Sequence, residues 1–199
     1  MFDRERIREA VRAQMPERRW RHTLGVVESA LALAERYGAD AERAELAAYL
    51  HDYAKFWPID RQRQTLIDAQ LPQDLLAYDP QLLHAPVGAY AVQRDLGIED
   101  AEVLDAVRWH TSGREGMTLL DKIICLADYI EPGRNYPGVD DIRKIAEISL
   151  ERALVAGFDS TIRFLMDQGK PIYPLTVLAR NSLLRELKGT HNEGGDVRE

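Results

Sequence analysis

Apolar residues return along this chain at helical intervals, and no segment alternates convincingly with the two-residue period of a strand. Trp20, Leu24, Val27, Leu31 and Ala34 form one apolar stripe, while Val26 and Leu33 form a second that includes His22. A helix with two buried stripes belongs at the centre of a fold, and Gly38 is placed to end it. Asp40 suits the cap of the next helix, whose Leu46, Leu50 and Tyr53 make a core face and which Pro58 closes. Ala47 and Ala54 flank His51 at helical spacing and leave room for its ring. The more polar stretch 59–80, with Pro72 and Pro80, reads as short helices and loops. Pro86 fits a first helical turn, which puts His84 just ahead of a helix running to about Leu96 and stopping at Gly97. Residues 100–110 are helical, with Val103, Val107 and His110 on one side. Thr118 and Asp121 resemble a capping box that opens a helix to about Ile130, with Leu120, Ile124 and Asp128 along one face. An irregular loop covers 131–138, then one long helix over about 140–168 and a last one from Pro174 or Leu175 to about Gly189. The polar tail 190–199 is expected to be disordered. The pattern predicts a single all-α domain over 1–189.

Composition narrows the functional classes. With 199 residues and 45% apolar content, the chain suits one domain with a substantial core. A formal charge of −7 and a pI near 5.3 argue against broad binding to nucleic acid or an anionic membrane. A small anionic substrate remains open, because a metal and a few basic side chains can reverse the local field. Met1-Phe2-Asp3-Arg4-Glu5-Arg6 does not resemble a secretory signal. Nothing approaches the roughly 18 uninterrupted apolar residues of a membrane span. Cys125 is the sole cysteine, so no intramolecular disulfide can form, and it reads as a core residue. A cytoplasmic protein is expected.

The histidines carry the chemical signal. His22, His51, His84 and His110 fall about thirty residues apart, and Asp52 directly follows His51. Asp128 sits within the apolar segment 119–130, where a charge is costly unless something binds it. Any one of these histidines alone reads as an ordinary core or surface residue. The set, with His-Asp and a late Asp, reads as ligands delivered by successive helices to one metal site; His191, in the tail, stays outside it. Imidazole and carboxylate donors suit iron, manganese, zinc or related divalent ions, and spacing does not choose among them. Adjacent helical residues point about 100° apart. His51 and Asp52 can therefore share a metal only near a helix end or from a helix whose side faces the site. Asp52 placed between two metals could bridge them and help hold a hydroxide. Lys55 can reach a substrate phosphate or pair with Asp52, the plainer reading being an exposed lysine. Arg134, after Gly133 in a loop, is placed to bind a phosphate, with solvated surface as its alternative. Asp128 has a structural alternative as the buried partner of Arg108 or Lys122. Trp109 reads as packing, with stacking on a base as the second reading. No Walker A loop, nucleophile elbow or zinc-ribbon pattern is present.

Ordered His…His-Asp…Asp on helices is the signature of the HD superfamily of metal-dependent phosphohydrolases, which this chain resembles. The similarity is closest to the YqeK-type symmetrical dinucleoside tetraphosphatases. Its motifs are His22-Thr23-Leu24-Gly25-Val26, His51-Asp52-Tyr53-Ala54-Lys55, Leu83-His84-Ala85-Pro86-Val87-Gly88-Ala89 and Trp109-His110-Thr111. The block from Leu120-Asp121-Lys122 through Ala127-Asp128-Tyr129 to Glu131-Pro132-Gly133-Arg134 and the end Tyr173-Pro174-Leu175-Thr176-Val177-Leu178-Ala179-Arg180-Asn181 are more specific than the HD pair.

The resemblance implies an all-α HD-domain phosphohydrolase fold, iron as cofactor, and cleavage of diadenosine tetraphosphate into two ADP. One or two ions per chain are expected, with manganese, cobalt, zinc or magnesium as chemical alternatives. His22, His51, Asp52 and Asp128 become the core metal ligands; His84 and His110 complete a second metal position or contact the phosphates. Asp52 and Lys55 take the catalytic roles. Tyr53, Ala54, Lys55, Thr111, Arg134 and the segment Tyr173, Pro174, Leu175, Thr176, Val177, Leu178 surround the nucleotide. Tyr173 departs from the family pattern, which has histidine there in many relatives, although a phenol can still stack or hydrogen-bond. The rival readings are an HD-type nucleotidase or phosphomonoesterase and a nucleotide sensor without turnover. A homodimer through exposed faces of the 140–168 helix is a further expectation.

Overall fold

A computed structural model of the chain describes residues 2–192. In order these form α1 (Arg4–Arg12), α2 (Glu17–Tyr37), α3 (Ala41–Leu50), α4 (Ile59–Asp68), α5 (His84–Leu96), α6 (Ala101–Trp109), α7 (Leu119–Ile130), α8 (Val139–Ala146), α9 (Leu150–Asp167) and α10 (Pro174–Asn192). Two short 3-10 turns, Gln73–Ala77 and Pro80–Leu82, join α4 to α5, and there is no strand among the described residues. No helix among them is long and apolar enough to cross a membrane.

The local signals act as the chemistry of their residues requires. Gly38 ends α2 at φ 74°, a left-handed conformation that a side chain would oppose. Asp40 and Asp100 cap α3 and α6 by accepting from backbone N–H groups of the first turn. Thr118 and Asp121 complete both halves of the capping box at the start of α7. That helix is the central strut: α2, α3, α6, α8 and α9 all pack on it, and every residue from Leu120 to Ala127 is buried. Each fully buried Leu or Ile there contributes roughly 1.5–3 kcal/mol of hydrophobic stabilisation.

The two stripes of α2 follow the sequence expectation, and three helix boundaries differ from it. In α2 Trp20, Val27 and Ala34 of one stripe and Val26 and Leu33 of the other are all buried, and of the apolar positions only Leu24 and Leu31 are half-buried. The third helix ends at Leu50 rather than at Pro58, because His51 Nδ1 bonds Ala48 O, the carbonyl that continued α-helix would use. The chain then coils through tight turns to Trp57, and Pro58 opens α4 instead of closing α3. The single helix expected over 140–168 is two, α8 and α9, broken where Ser149 adopts extended φ −152° and caps α9 through its hydroxyl. Finally, α10 continues past Gly189 to Asn192. The rest of the expected disordered tail, 193–199, lies outside the described residues.

Candidate metal centre and active site

The centre is assembled largely from helix ends. His51 follows the last residue of α3, His110 follows the last of α6, and His84 is the first residue of α5. Each turns Nδ1 to the carbonyl three residues back: His51 to Ala48 at 2.7 Å, His84 to Gln81 at 2.6 Å and His110 to Val107 at 2.8 Å. A ring that donates Nδ1–H to a carbonyl keeps the Nε2 lone pair free and fixes its direction. His22, within α2, is held the same way by a carboxylate, donating Nδ1–H to Glu131 Oε1 at 3.0 Å.

All four Nε2 atoms converge on Asp52. Its Oδ2 lies 3.1 Å from His51 Nε2 and 3.8 Å from His22 Nε2. Its Oδ1 lies 3.1 Å from His84 Nε2 and 3.9 Å from His110 Nε2. Asp128 Oδ1 joins the first group at 3.0 Å from His22 Nε2. Two donor sets thus share one aspartate, His22–His51–Asp52 and Asp52–His84–His110, each with ligand atoms within 4.8 Å of one another. His22 Nε2, His51 Nε2 and Asp52 Oδ1 are buried without a hydrogen-bond partner. Each such orphan costs on the order of 1–3 kcal/mol, and a divalent cation would satisfy all three at once. The residues fit a metal.

The charge states fit as well. Burial works against the Asp52 carboxylate, but the neighbouring His51 and His84 outweigh it and hold the group well below the usual range. Asp128 is held low in the same manner, by His22 and Arg134 against burial. Burial, reinforced by His84 and His51, pushes His110 far down, and burial lowers His84 despite its bond to Asp52. Neutral imidazoles beside ionised carboxylates are what a metal requires of its ligands. Three cations surround this cluster. The Arg19 guanidinium pairs with Asp52 Oδ2. Arg134 donates from Nε to Asp128 O at 2.8 Å and from Nη2 to the Asp128 carboxylate. Lys55 Nζ lies 3.3 Å from His84 Nδ1, its pKa lowered by burial with Asp52 opposing.

The structure brings His22, His51, Asp52, Lys55, His84, His110, Asp128 and Arg134 into one cluster. Tyr53 and Ala54 lie behind it as core residues. Thr111 and Tyr173 sit further out, lining a narrow crevice with Trp109 and Pro86, and the Tyr173 ring packs on Tyr78 at 5.1 Å. Thr176 is buried, Leu175 and Val177 are half-buried, and Pro174 and Leu178 are exposed. Asp128 takes neither structural alternative: Arg108 pairs with Asp105, and Lys122 with Glu151 and Glu186.

Sequence reasoning missed two members. Arg19 stands three residues before His22 on the same helical face, a spacing that brings side chains together. Glu131 follows Asp128 by three residues, and its carboxylate sits in a cradle of glycines: a Cβ on Gly25 would meet Glu131 Oε2 at 2.5 Å, and one on Gly133 at 3.0 Å. Beside His22 a cleft of about 1190 Å³ opens between the first half of α2 and the loop 131–136.

Helices that deliver His, His-Asp and Asp to one buried point define an all-helical metal-site protein. The chain belongs to the HD-domain family, whose model matches residues 19–133. It is 50% identical to a symmetrical bis(5'-nucleosyl)-tetraphosphatase of Bacillus subtilis, over 92% of this chain and 98% of that protein. It is 47% identical to a protein of the same name from Halalkalibacterium halodurans, over 94% of this chain and 100% of that one. Among solved structures, a predicted HD superfamily hydrolase involved in NAD metabolism from Clostridium acetobutylicum superposes with a TM-score of 0.89 at 38% identity, covering 94% of this chain and 99% of that chain.

Proposed function

We propose that this chain is a metal-dependent symmetrical hydrolase of diadenosine tetraphosphate and related dinucleoside tetraphosphates, releasing two ADP. The observation that carries the reading is Asp52, fully buried, with histidine nitrogens gathered at both of its oxygens and orphaned atoms on both sides. The names of the full-length relatives supply the substrate class. His22, His51, Asp52 and Asp128 would hold the core ion, and His84 and His110 a second ion or the phosphates. Such an ion supplies positive charge at the phosphate oxygens and a nucleophile near neutral pH. Four imidazoles with two carboxylates favour a borderline transition metal over magnesium, which prefers oxygen ligands; we assign iron.

The protein's own groups position the chain of phosphates. Water adds to one inner phosphorus, the central P–O–P bridge breaks on its far side, and ADP departs with the electron pair. Arg19, Lys55 and Arg134 face the charge that develops on the phosphoryl oxygens. Arg19 and Arg134 also neutralise Asp52 and Asp128 in the free protein, so substrate binding exchanges a carboxylate contact for a phosphate one. Thr111 and the 173–178 segment hold one nucleoside. We further infer a cytoplasmic setting, supported by a lone buried cysteine, and leave pairing of two chains to the exposed Ile148, Phe164 and Met166 near and along α9.

The test is an anaerobic assay of metal-loaded protein with diadenosine tetraphosphate, products separated by chromatography. Two ADP per substrate support the proposal. AMP with ATP, nucleoside with inorganic phosphate, or binding without turnover would each replace it.

A further inference from the structure

The roles assigned above draw on the 1190 Å³ cleft only at its inner edge, through Arg19, His22 and Arg134, and leave Arg18, Arg21 and Phe56 of its lining unused. Clefts that bury a drug-sized ligand span roughly 300–1,000 Å³, so this one has room for a nucleoside with its phosphates. Four arginines, Arg18, Arg19, Arg21 and Arg134, line it against two glutamates, in a chain whose formal charge is −7. Glu131 is already occupied by His22 and Gly133. Arg19 and Arg134 reach inward to Asp52 and Asp128, whereas Arg18 and Arg21 are exposed and pair with no carboxylate among the described residues. Phe56, in the turns that follow His51 and Asp52, is exposed and lines the same cleft. An unpaired guanidinium pair next to an exposed aromatic ring is the chemistry that holds phosphate and stacks a base.

Position selects the ligand. Asp52 Oδ2 faces His22, which lines the cleft; Oδ1 faces His84 and His110, whose neighbours Trp109 and Thr111 line the crevice at Tyr173. A dinucleotide cut at its central bridge must lay one half on each side of the centre. Resting on the function proposed above, we propose that this cleft is the subsite for the second nucleoside diphosphate, with Arg18 and Arg21 on its phosphates and Phe56 against its base.

Adenosine 5'-tetraphosphate offers the same phosphate chain with a single nucleoside, so the ratio of kcat/KM for the dinucleotide to kcat/KM for this compound isolates the second nucleoside. Phe56→Ala should lower that ratio about tenfold, and Phe56→Tyr should restore it. Arg18→Ala with Arg21→Ala should raise KM for both compounds. Calorimetry with ADP should count two sites per chain in the wild type and one in Phe56→Ala. Turnover with an unchanged ratio in Phe56→Ala overturns the subsite and keeps the reaction. Two ADP sites without any turnover of the dinucleotide keeps the subsite and removes the reaction.

Discussion

The two ends of α7 carry buried charge in opposite styles. Near its start Lys122 lies between Glu151 of α9 and Glu186 of α10, at 2.9 and 2.6 Å, so one cation meets two anions. At its end Asp128 faces His22, Arg134 and a cluster in which three buried polar atoms have no partner. A buried ion that is closed on itself ties helices together and asks for nothing more. A buried group of donors that converge yet leave lone pairs unsatisfied is complete only with something added. Burial alone therefore does not mark function on this helix, and neither does one orphaned atom, since Asp121 Oδ1 near its start lacks a partner too. What distinguishes the far end is that three orphans, on His22, His51 and Asp52, belong to donors converging on one point.

The comparison breaks most sharply at Asp52. Asp52→Ala removes the group both donor sets share, and turnover of the dinucleotide should fall at least about a thousandfold, or ~4 kcal/mol of barrier. Metal bound per chain, measured by elemental analysis, should fall with it while circular dichroism keeps its helical signal. Near-wild-type turnover would strip Asp52 of its place in the mechanism. Arg134→Ala should cost less, because it removes a charge-assisted contact worth roughly 1.5–3 kcal/mol. The expected loss in kcat/KM is about ten- to a hundredfold, with partial rescue by lysine, which lacks the guanidinium fork. Metal content should hold, since the imidazoles and Asp52 remain; a parallel loss of metal would mean that Arg134 acts only through Asp128. Glu131→Ala touches neither metal nor substrate directly. Loss of the carboxylate behind a ligating histidine typically weakens metal binding about 10–100-fold, so competition with a chelator should show a lower affinity, and unchanged retention would reduce Glu131 to a loop anchor.

The sequence made α7 legible down to its capping box, because the signal there is local: Thr118, Asp121 and an apolar run. It also pointed to His22, His51, Asp52, His84, His110 and Asp128, which the structure gathers into one cluster, because as a set these histidines and an Asp in an apolar helix read differently from any one alone. What it hid is tertiary. The early end of α3 depends on the His51 ring reaching its own helix's carbonyl, and periodicity continues through such a break unmarked. The split of the 140–168 helix turned on one capping serine, Ser149, inside an otherwise helical stretch. Arg19 and Glu131 were invisible as site members because their partners, Asp52 and His22, are 33 and 109 residues away. The cleft at Arg18, Arg21 and Phe56 exists only once α2 meets the 131–136 loop.

Lys122→Met sharpens the contrast from the other end of the helix, and its effect is the smallest. It should leave metal content and turnover unchanged while lowering stability by about 1 kcal/mol, since the two glutamates are partly exposed and solvent screens them. Acid titration then shows whether the ion pair is the cause. Burial opposes ionisation of Glu151, but its bond to Lys122 prevails and holds the carboxyl below its ordinary value of 4.5. A carboxyl depressed in the folded state binds fewer protons there than in the unfolded chain, so stability rises with pH across the interval between the two values. The Glu151 contribution is therefore complete above the ordinary value and disappears as pH falls through the folded one. Lys122 itself is raised above 10.5, by Glu186 and Glu151 against burial, so its own loss lies on the far alkaline side. Urea unfolding at a series of pH values should show wild type and Lys122→Met separated by a constant gap near neutrality. The gap should narrow as the medium becomes more acid than the ordinary glutamate range. Parallel curves across that whole range would assign the lost stability to the lysine's aliphatic packing instead of its charge.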